Sequence, residues 1–169
     1  VTRCKCAWGK FRQLLPLLTN RHIPHVARGR VYSACVRSVM LYGSETWATT
    51  VDTMNRLRRN DRAMLRWMCN VKVNDKVSSD SILSKLGLQD IVTILRTNRL
   101  RWFGHVERSA GWINHVRNLE VQSGQKRPGR PKLTWNDVVR DKQLLGMMTC
   151  DPQNRSSWRG RLRQRRLAT

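Results

Sequence analysis

Basic side chains that could bind phosphate dominate this chain. Its 169 residues include 33 Lys and Arg against 11 Asp and Glu, a formal net charge of +22. The excess runs along the whole chain and favours a polyanionic partner, because charge repulsion otherwise opposes a compact state. Most of the basic residues are arginine, whose planar guanidinium can bind phosphate through two parallel hydrogen bonds. We therefore expect RNA and DNA as partners.

The stretch Gly124–Trp135 (GQKRPGRPKLTW) combines basic side chains with Gly and Pro. Proline keeps a backbone extended, glycine lacks the Cβ that would meet a groove wall, and arginine can enter a narrow A·T-rich minor groove. This pattern is AT-hook-like. The alternative is a solvated basic linker that touches phosphates without reading sequence. The nucleic-acid-binding residues predicted here are Lys126, Arg127, Gly129, Arg130 and Lys132.

Further arginines recur on the predicted helices. Few acidic residues lie three or four positions away, so ion pairs along a helix account for little of this charge. Solvated charged faces are the alternative to phosphate contact. The phosphate-binding residues predicted on the third and the long helix are Arg58, Arg59, Arg62, Arg66, Arg96, Arg99 and Arg101. The last helix carries another set, namely Arg155, Arg159, Arg161, Arg163, Arg165 and Arg166.

Metal and catalytic chemistry have weaker signals. Cys4-x-Cys6 followed by His22-x-x-His25 is similar to a two-Cys, two-His zinc set, but the first pair is unusually tight and an amphipathic helix intervenes. Zinc there stays an open alternative, and we predict no metal ligand. The carboxylates form no close pair at a strand end, as two-metal phosphoryl transfer requires. We predict no catalytic residue, no cofactor and no small-molecule substrate in this chain.

Three aspartates have specific predicted roles. Asp61 lies on the inward face of the third predicted helix, where we expect it to pair with an arginine. Asp137 and Asp141 lie one helical turn apart and are expected to be solvent-exposed partners of Arg140 and Lys142.

Apolar residues recur with helical spacing and predict an all-α bundle of about six to seven helices, with a basic Pro/Gly loop near residues 122–133. Helix ends are predicted at Asn70, Gly87 and Gly146, because these residue types tolerate a left-handed backbone. The inward face of the second helix is predicted to be Val31, Ala34, Cys35, Ser38 and Leu41. The tryptophans assigned to the core are Trp8, Trp47, Trp67 and Trp102.

The chain has five cysteines, an odd number, and several lie at apolar helical positions, which favours a reducing, intracellular setting over a disulfide framework. The sequence has neither a signal-peptide pattern nor an apolar run of about 20 residues that could cross a membrane. It enters a helical pattern at its first residues, so we expect it to be part of a longer protein.

Four motifs occur in an order that resembles one protein family. They are Leu41–Trp47 (LYGSETW), Asp61–Cys69 (DRAMLRWMC), Leu100–Val106 (LRWFGHV) and Gly129–Lys132 (GRPK) followed by Trp135 and Asp137. From about Lys10 to Trp158, the chain resembles the region downstream of the polymerase palm in LINE-type, non-LTR retrotransposon reverse transcriptases.

The resemblance implies a thumb-like helical bundle in residues 1–70, connecting helices in 71–121, and a basic loop with C-terminal helices in 122–169. In that family the thumb grips the template–primer duplex, and the parent activity is RNA-directed DNA polymerase with Mg²⁺. The catalytic aspartates would precede Val1, and the parent element is expected in nucleus and cytoplasm. The alternatives are a stand-alone AT-hook-like minor-groove binder, a non-functional remnant of a truncated element, or a zinc-dependent nuclease.

Overall fold

The computed structural model describes residues 2–47, 49–109 and 138–167. Its described residues form helices, turns and loops without a strand, which confirms the all-α fold class. The AT-hook-like stretch, with Lys126, Arg127, Gly129, Arg130 and Lys132, lies outside the described residues, and so does Asp137. The helices are α1 (Thr2–Gln13), α2 (Leu15–Leu18), α3 (His25–Tyr32), α4 (Ser38–Met40), α5 (Val51–Met68), α6 (Ser79–Leu86), α7 (Ile91–Arg108), α8 (Val138–Leu144) and α9 (Arg155–Leu167).

By internal contacts the chain divides into two compact units. The first comprises residues 1–44 and 49–95, and the second comprises residues 45–48 and 96–169. The boundaries predicted at residues 70 and 121 separate a thumb-like bundle, connecting helices and a C-terminal segment by function. These boundaries stay predictions.

The first unit buries an apolar core between its helices. Helix α3 packs on α6, and α1 packs on α4 and on α5. The rings of Trp8, Phe11, Tyr32 and Trp67 form a chain of edge and tilted contacts, with centroids 5.6 to 6.2 Å apart. Such aromatic pairs are favourable beyond the area they bury, because ring edges and faces carry opposite partial charge.

Polar side chains and left-handed residues mark several of the helix ends. Thr50 accepts a hydrogen bond from the backbone N–H of Thr53 and caps α5. Asn70, Gly87 and Gly146 all have positive φ, at 53°, 63° and 61°. From the sequence, Ser79 or Asp80 is expected to cap α6. The cap is instead Ser78, whose hydroxyl accepts a hydrogen bond from the N–H of Ser81.

The predicted inward face of the second helix is wrong. A π-helical turn at Ser33–Arg37 joins α3 to α4 and shifts the register of side chains by one residue. The buried residues between 25 and 41 are Arg28, Gly29, Tyr32, Val36, Arg37, Met40 and Leu41. Of the predicted face only Leu41 is buried, and two of the buried side chains are arginines, which an apolar periodicity cannot identify.

The second unit is built around one tryptophan. Its buried cluster consists of Leu100, Phe103, Met147, Cys150, Trp158 and Leu162. Trp158 and Leu162, one helical turn apart on α9, are both buried in it. The Trp158 indole N–H donates to the carbonyl of Leu100 at 3.1 Å, which fixes the ring against α7. A Cβ on Gly104 would lie 2.4 Å from the Trp158 Nε1, so this position in α7 requires glycine.

Two of the four tryptophans assigned to the core are exposed. Trp67 is 49% exposed and Trp102 is 37% exposed, while Trp8 and Trp47 are half-buried. The assignment was wrong for Trp67 and Trp102 because both lie at the margin of an apolar stripe, where one side of the ring packs and the other meets solvent.

Candidate nucleic-acid interface

Helix α5 separates its apolar and basic side chains cleanly. Leu57, Met64, Leu65 and Met68 are buried on one side together with Asp61. On the other side, the Arg59 side chain is 72% exposed and reaches Asp52 only at 4.0 Å. Arg62 is also exposed and makes no ion pair with any described residue. Arg59 and Arg62 are therefore available to a phosphate backbone.

Two other predicted arginines of α5 are held by the protein itself. Arg58 donates from Nε and Nη2 to the carboxylate of Asp90 at 3.0 to 3.2 Å. Arg66 donates to the carbonyl oxygens of Lys72 and Val77 and so shapes the loop after α5. Arg58 keeps 35% of its side chain exposed, and Arg66 is half-buried. Phosphate contacts by Arg58 and Arg66 stay predictions. Such contacts would use the guanidinium N–H groups that do not bind Asp90, Lys72 or Val77.

The buried side of α5 is anchored by an ion pair. Arg37 binds Asp61 through two hydrogen bonds, Nη2 to Oδ2 at 2.7 Å and Nε to Oδ1 at 2.9 Å. Both side chains are at most 3% exposed. The Tyr32 hydroxyl also donates to Asp61, and Arg37 Nη1 donates to the carbonyl of Gln89. The prediction that Asp61 pairs with an arginine is confirmed.

Charge and burial shift the titration of this cluster. Burial raises the pKa of Tyr32 well above its ordinary value of 10, and the neighbouring carboxylate of Asp61 raises it further. Burial works to lower the pKa of Arg37, but Asp61 outweighs this and raises it. Tyr32 therefore stays neutral and Arg37 stays charged across the neutral range.

In the second unit, Asp141 holds two of the predicted phosphate-binding arginines. Arg99 Nη1 lies 3.0 Å from Asp141 Oδ2, and Arg96 Nε lies 3.5 Å from Oδ1. Asp141 and Arg99 are both buried, so the expectation of a solvent-exposed Asp141 was wrong. The physical reason is that the two arginines lie on one face of α7 and neutralise the carboxylate, which α8 brings against them. A phosphate contact by Arg99, which was predicted from the sequence, would require this buried guanidinium to become accessible.

A cleft of about 560 Å³ opens on the surface of the second unit. Arg101, one of the residues that line it, is exposed, and its phosphate contact stays a prediction. Trp102 lies beside His105, one turn further along α7, with ring centroids 5.2 Å apart. The residues that line the cleft are Glu45, Thr46, Asn98, Arg101, Trp102, His105, Arg108, Arg155, Trp158 and Arg159.

This cleft was not predicted as a site. The sequence indicated Arg155 and Arg159 only as part of a basic helix, and it placed Trp102 in the core. Arginines four residues apart on α9 were a signal, but their convergence with an exposed aromatic ring depends on how α7 and α9 pack. That packing follows from Gly104 and Trp158, whose close contact no periodicity reveals.

The residues of the zinc hypothesis are not gathered into a site. Among the residues that the structure describes, no group of three or more His, Cys, Asp or Glu side chains could hold a metal ion. Burial raises the pKa of the Cys4 thiol, which disfavours the thiolate that binds metals.

No helix in the described part of the chain is both long enough and apolar enough to cross a membrane. Compared with protein-family models, with curated proteins and with solved structures, the chain shows no significant match to any of them.

Proposed function

We propose that this chain is the nucleic-acid-binding thumb and post-polymerase part of a non-LTR retrotransposon reverse transcriptase. It would grip template–primer or target DNA through many Arg and Lys contacts to phosphate. The observation that carries the proposal is the basic outer face of α5, where Arg59 and Arg62 are exposed on a helix whose other side is buried. The four motifs in family order and the net charge of +22 support it.

The arrangement suits backbone binding that does not depend on sequence. Phosphate contacts position a protein on a nucleic acid but carry no sequence information directly. The ion pairs Arg37–Asp61 and Arg58–Asp90 hold α5 in place, so its outer arginines need little ordering on binding. A fixed basic helix therefore fits a duplex backbone of either RNA–DNA hybrid or DNA.

The polymerase reaction itself would belong to the parent protein. Its Mg²⁺ and catalytic aspartates would lie in the palm, and this chain would supply binding to RNA and DNA without a cofactor of its own. We propose an intracellular setting, with nucleus and cytoplasm as the expected compartments of the parent element.

A second candidate function is a stand-alone minor-groove DNA-binding protein. The sequence Gly129-Arg130-Pro131, flanked by Lys126, Arg127 and Lys132, favours it. In that case A·T-rich duplex would be preferred, and Arg130→Ala would remove the preference. The thumb proposal expects only a partial loss of affinity from the same change.

The proposal is tested on the outer face of α5. We expect the double variant Arg59→Gln/Arg62→Gln to weaken binding to all duplex sequences alike and to make the slope of log K against log salt shallower by about 2. The measurement is a fluorescence-anisotropy titration with RNA–DNA hybrid at several salt concentrations.

The matched control is Arg12→Gln/Arg30→Gln, which removes the same charge from exposed positions on α1 and α3. Equal effects of the two double variants would show that only net charge matters, and the assignment of α5 as the gripping helix would then be wrong.

A further inference from the structure

The cleft of the second unit has a wall suited to a flat ring. Trp102 is 37% exposed and lies on the same face of α7 as His105. Exposed aromatic rings of this kind stack on unpaired nucleobases, and such stacking tolerates any base because every base has a π face. The volume of about 560 Å³ lies within the range of about 300 to 1,000 Å³ found for small-molecule sites.

The charge of the cleft suits a phosphate linked to that ring. Four arginines line it, Arg101 and Arg108 from α7 and Arg155 and Arg159 from α9, against the single carboxylate of Glu45. Arg155 and Arg159 are exposed and one helical turn apart. Arg108 is held to the carbonyl of Pro152, which keeps one guanidinium fixed in the cleft.

The floor of the cleft is rigid. The Trp158 ring is 1% exposed, its N–H is occupied by the carbonyl of Leu100, and its centroid lies 6.2 Å from that of Phe103. Asn98, whose Oδ1 accepts from Arg101 at 3.3 Å, adds an amide at the edge. An amide can donate to and accept from a base edge, as few other side chains can.

From this juxtaposition we infer that the cleft binds an unpaired nucleotide of single-stranded RNA or DNA, with the base stacked on Trp102 and the flanking phosphates held by Arg155 and Arg159. The inference rests on the proposed nucleic-acid binding and goes beyond it, since a base contact requires an unpaired strand and a backbone grip does not.

The test compares two ligands with equal charge. A labelled oligothymidylate and an abasic oligomer of the same length carry the same phosphates, but only the first carries bases. We expect the full chain to bind the oligothymidylate about 5- to 150-fold more tightly, the range that stacking of one base supports. Trp102→Leu should remove most of this difference, and Trp102→Phe should retain most of it. Thermal unfolding of each variant shows whether it is folded.

The role of the arginines is tested with two double variants that leave Trp102 unchanged. Both remove the same charge from α9, but only Arg155→Gln/Arg159→Gln changes residues that line the cleft, whereas Arg161→Gln/Arg163→Gln does not. We expect the first of these variants to cost more affinity for both oligomers.

Three results would overturn the inference. Equal binding of the two oligomers would leave the backbone grip intact but remove the base contact. A base preference that survives in Trp102→Leu, or a poly-glutamate chain that binds with the same dependence on Trp102 as oligothymidylate, would also contradict it. Absence of binding to either oligomer and to duplex would instead reject the proposed function itself.

Discussion

At the scale of single residues, the most informative signal is a charged side chain at a position that the helical pattern places in the core. Asp61 stands out because an inward carboxylate in a strongly basic chain needs a positive partner. Its partner Arg37 could not be predicted, because an inward arginine looks like any other arginine in a sequence with 33 basic residues. The prediction that Asp141 is exposed was wrong for a related reason, because its partners Arg96 and Arg99 lie on a different helix.

The buried pair makes a strong prediction about stability. Asp61→Asn should lower the free energy of unfolding by about 3 to 5 kcal/mol, because it leaves the Arg37 guanidinium buried without a counter-charge. Urea unfolding measures this directly. Asp52→Asn on the same helix is the control, since the Asp52 side chain is 70% exposed and its ion pairs should contribute at most about 1 kcal/mol. Equal losses from the two variants would mean that the Arg37–Asp61 pair is not the anchor of α5.

Tyr32 predicts how stability depends on alkaline pH. Its folded-state pKa is raised above the unfolded value of about 10, so its stabilising effect is complete below that pH and is lost as pH rises toward the folded pKa. In this window the free energy of unfolding should fall by up to about 1.4 kcal/mol per pH unit. Tyr32→Phe should remove that fall. The difference in the free energy of unfolding between the wild type and Tyr32→Phe should therefore narrow above about pH 10.

Urea unfolding at several alkaline pH values measures this difference. Tyr42→Phe is the control, because the Tyr42 ring is 66% exposed. Parallel profiles for the wild type and Tyr32→Phe would contradict the role given to the buried hydroxyl.

At the scale of elements, helix positions follow from local chemistry and helix packing does not. The caps at Thr50, Asn70 and Gly87 are visible in the sequence because each depends on a hydroxyl or on a left-handed backbone. No residue type in the sequence indicates the π-helical turn at Ser33–Arg37. Because of this turn, the buried residues of that helix differ from those predicted by regular α-helical spacing. The exposed edge of Trp102 likewise depends on what α7 meets in the folded second unit.

The packing of α7 against the Trp158 ring depends on the absence of a side chain at Gly104. A glycine inside a helix is about 1 kcal/mol less favourable than alanine, so Gly104→Ala alone would be expected to stabilise. We predict the opposite, a loss of about 1 to 3 kcal/mol, since the new Cβ would overlap the Trp158 indole. Thermal or urea unfolding of the variant measures it.

Gly160 on α9 is the matched control, because a Cβ there meets nothing within 4 Å. Gly160→Ala should stabilise by up to about 1 kcal/mol. If Gly104→Ala stabilised the protein equally, the contact between α7 and Trp158 would be looser than described.

At the scale of the whole molecule, the net charge of +22 and the all-α class are the properties that the sequence alone predicts. Both depend on composition and periodicity and not on tertiary contacts. The sequence could not distinguish arginines that stabilise the fold, such as Arg37 and Arg99, from those that face solvent, such as Arg59 and Arg62. That distinction depends on tertiary pairing, and it reduces the set available for phosphate contact.

Fluorescence anisotropy tests the proposed duplex binding most directly, with RNA–DNA hybrid, A·T-rich duplex and G·C-rich duplex each titrated at several salt concentrations against the wild type and Arg130→Ala. We predict that the hybrid binds at least as tightly as either DNA, with a log K against log salt slope of about −4 or steeper and only a modest loss of affinity in Arg130→Ala. Salt-insensitive or absent binding would contradict this prediction. A clear preference for A·T duplex that Arg130→Ala abolishes would also contradict it and would favour the minor-groove alternative.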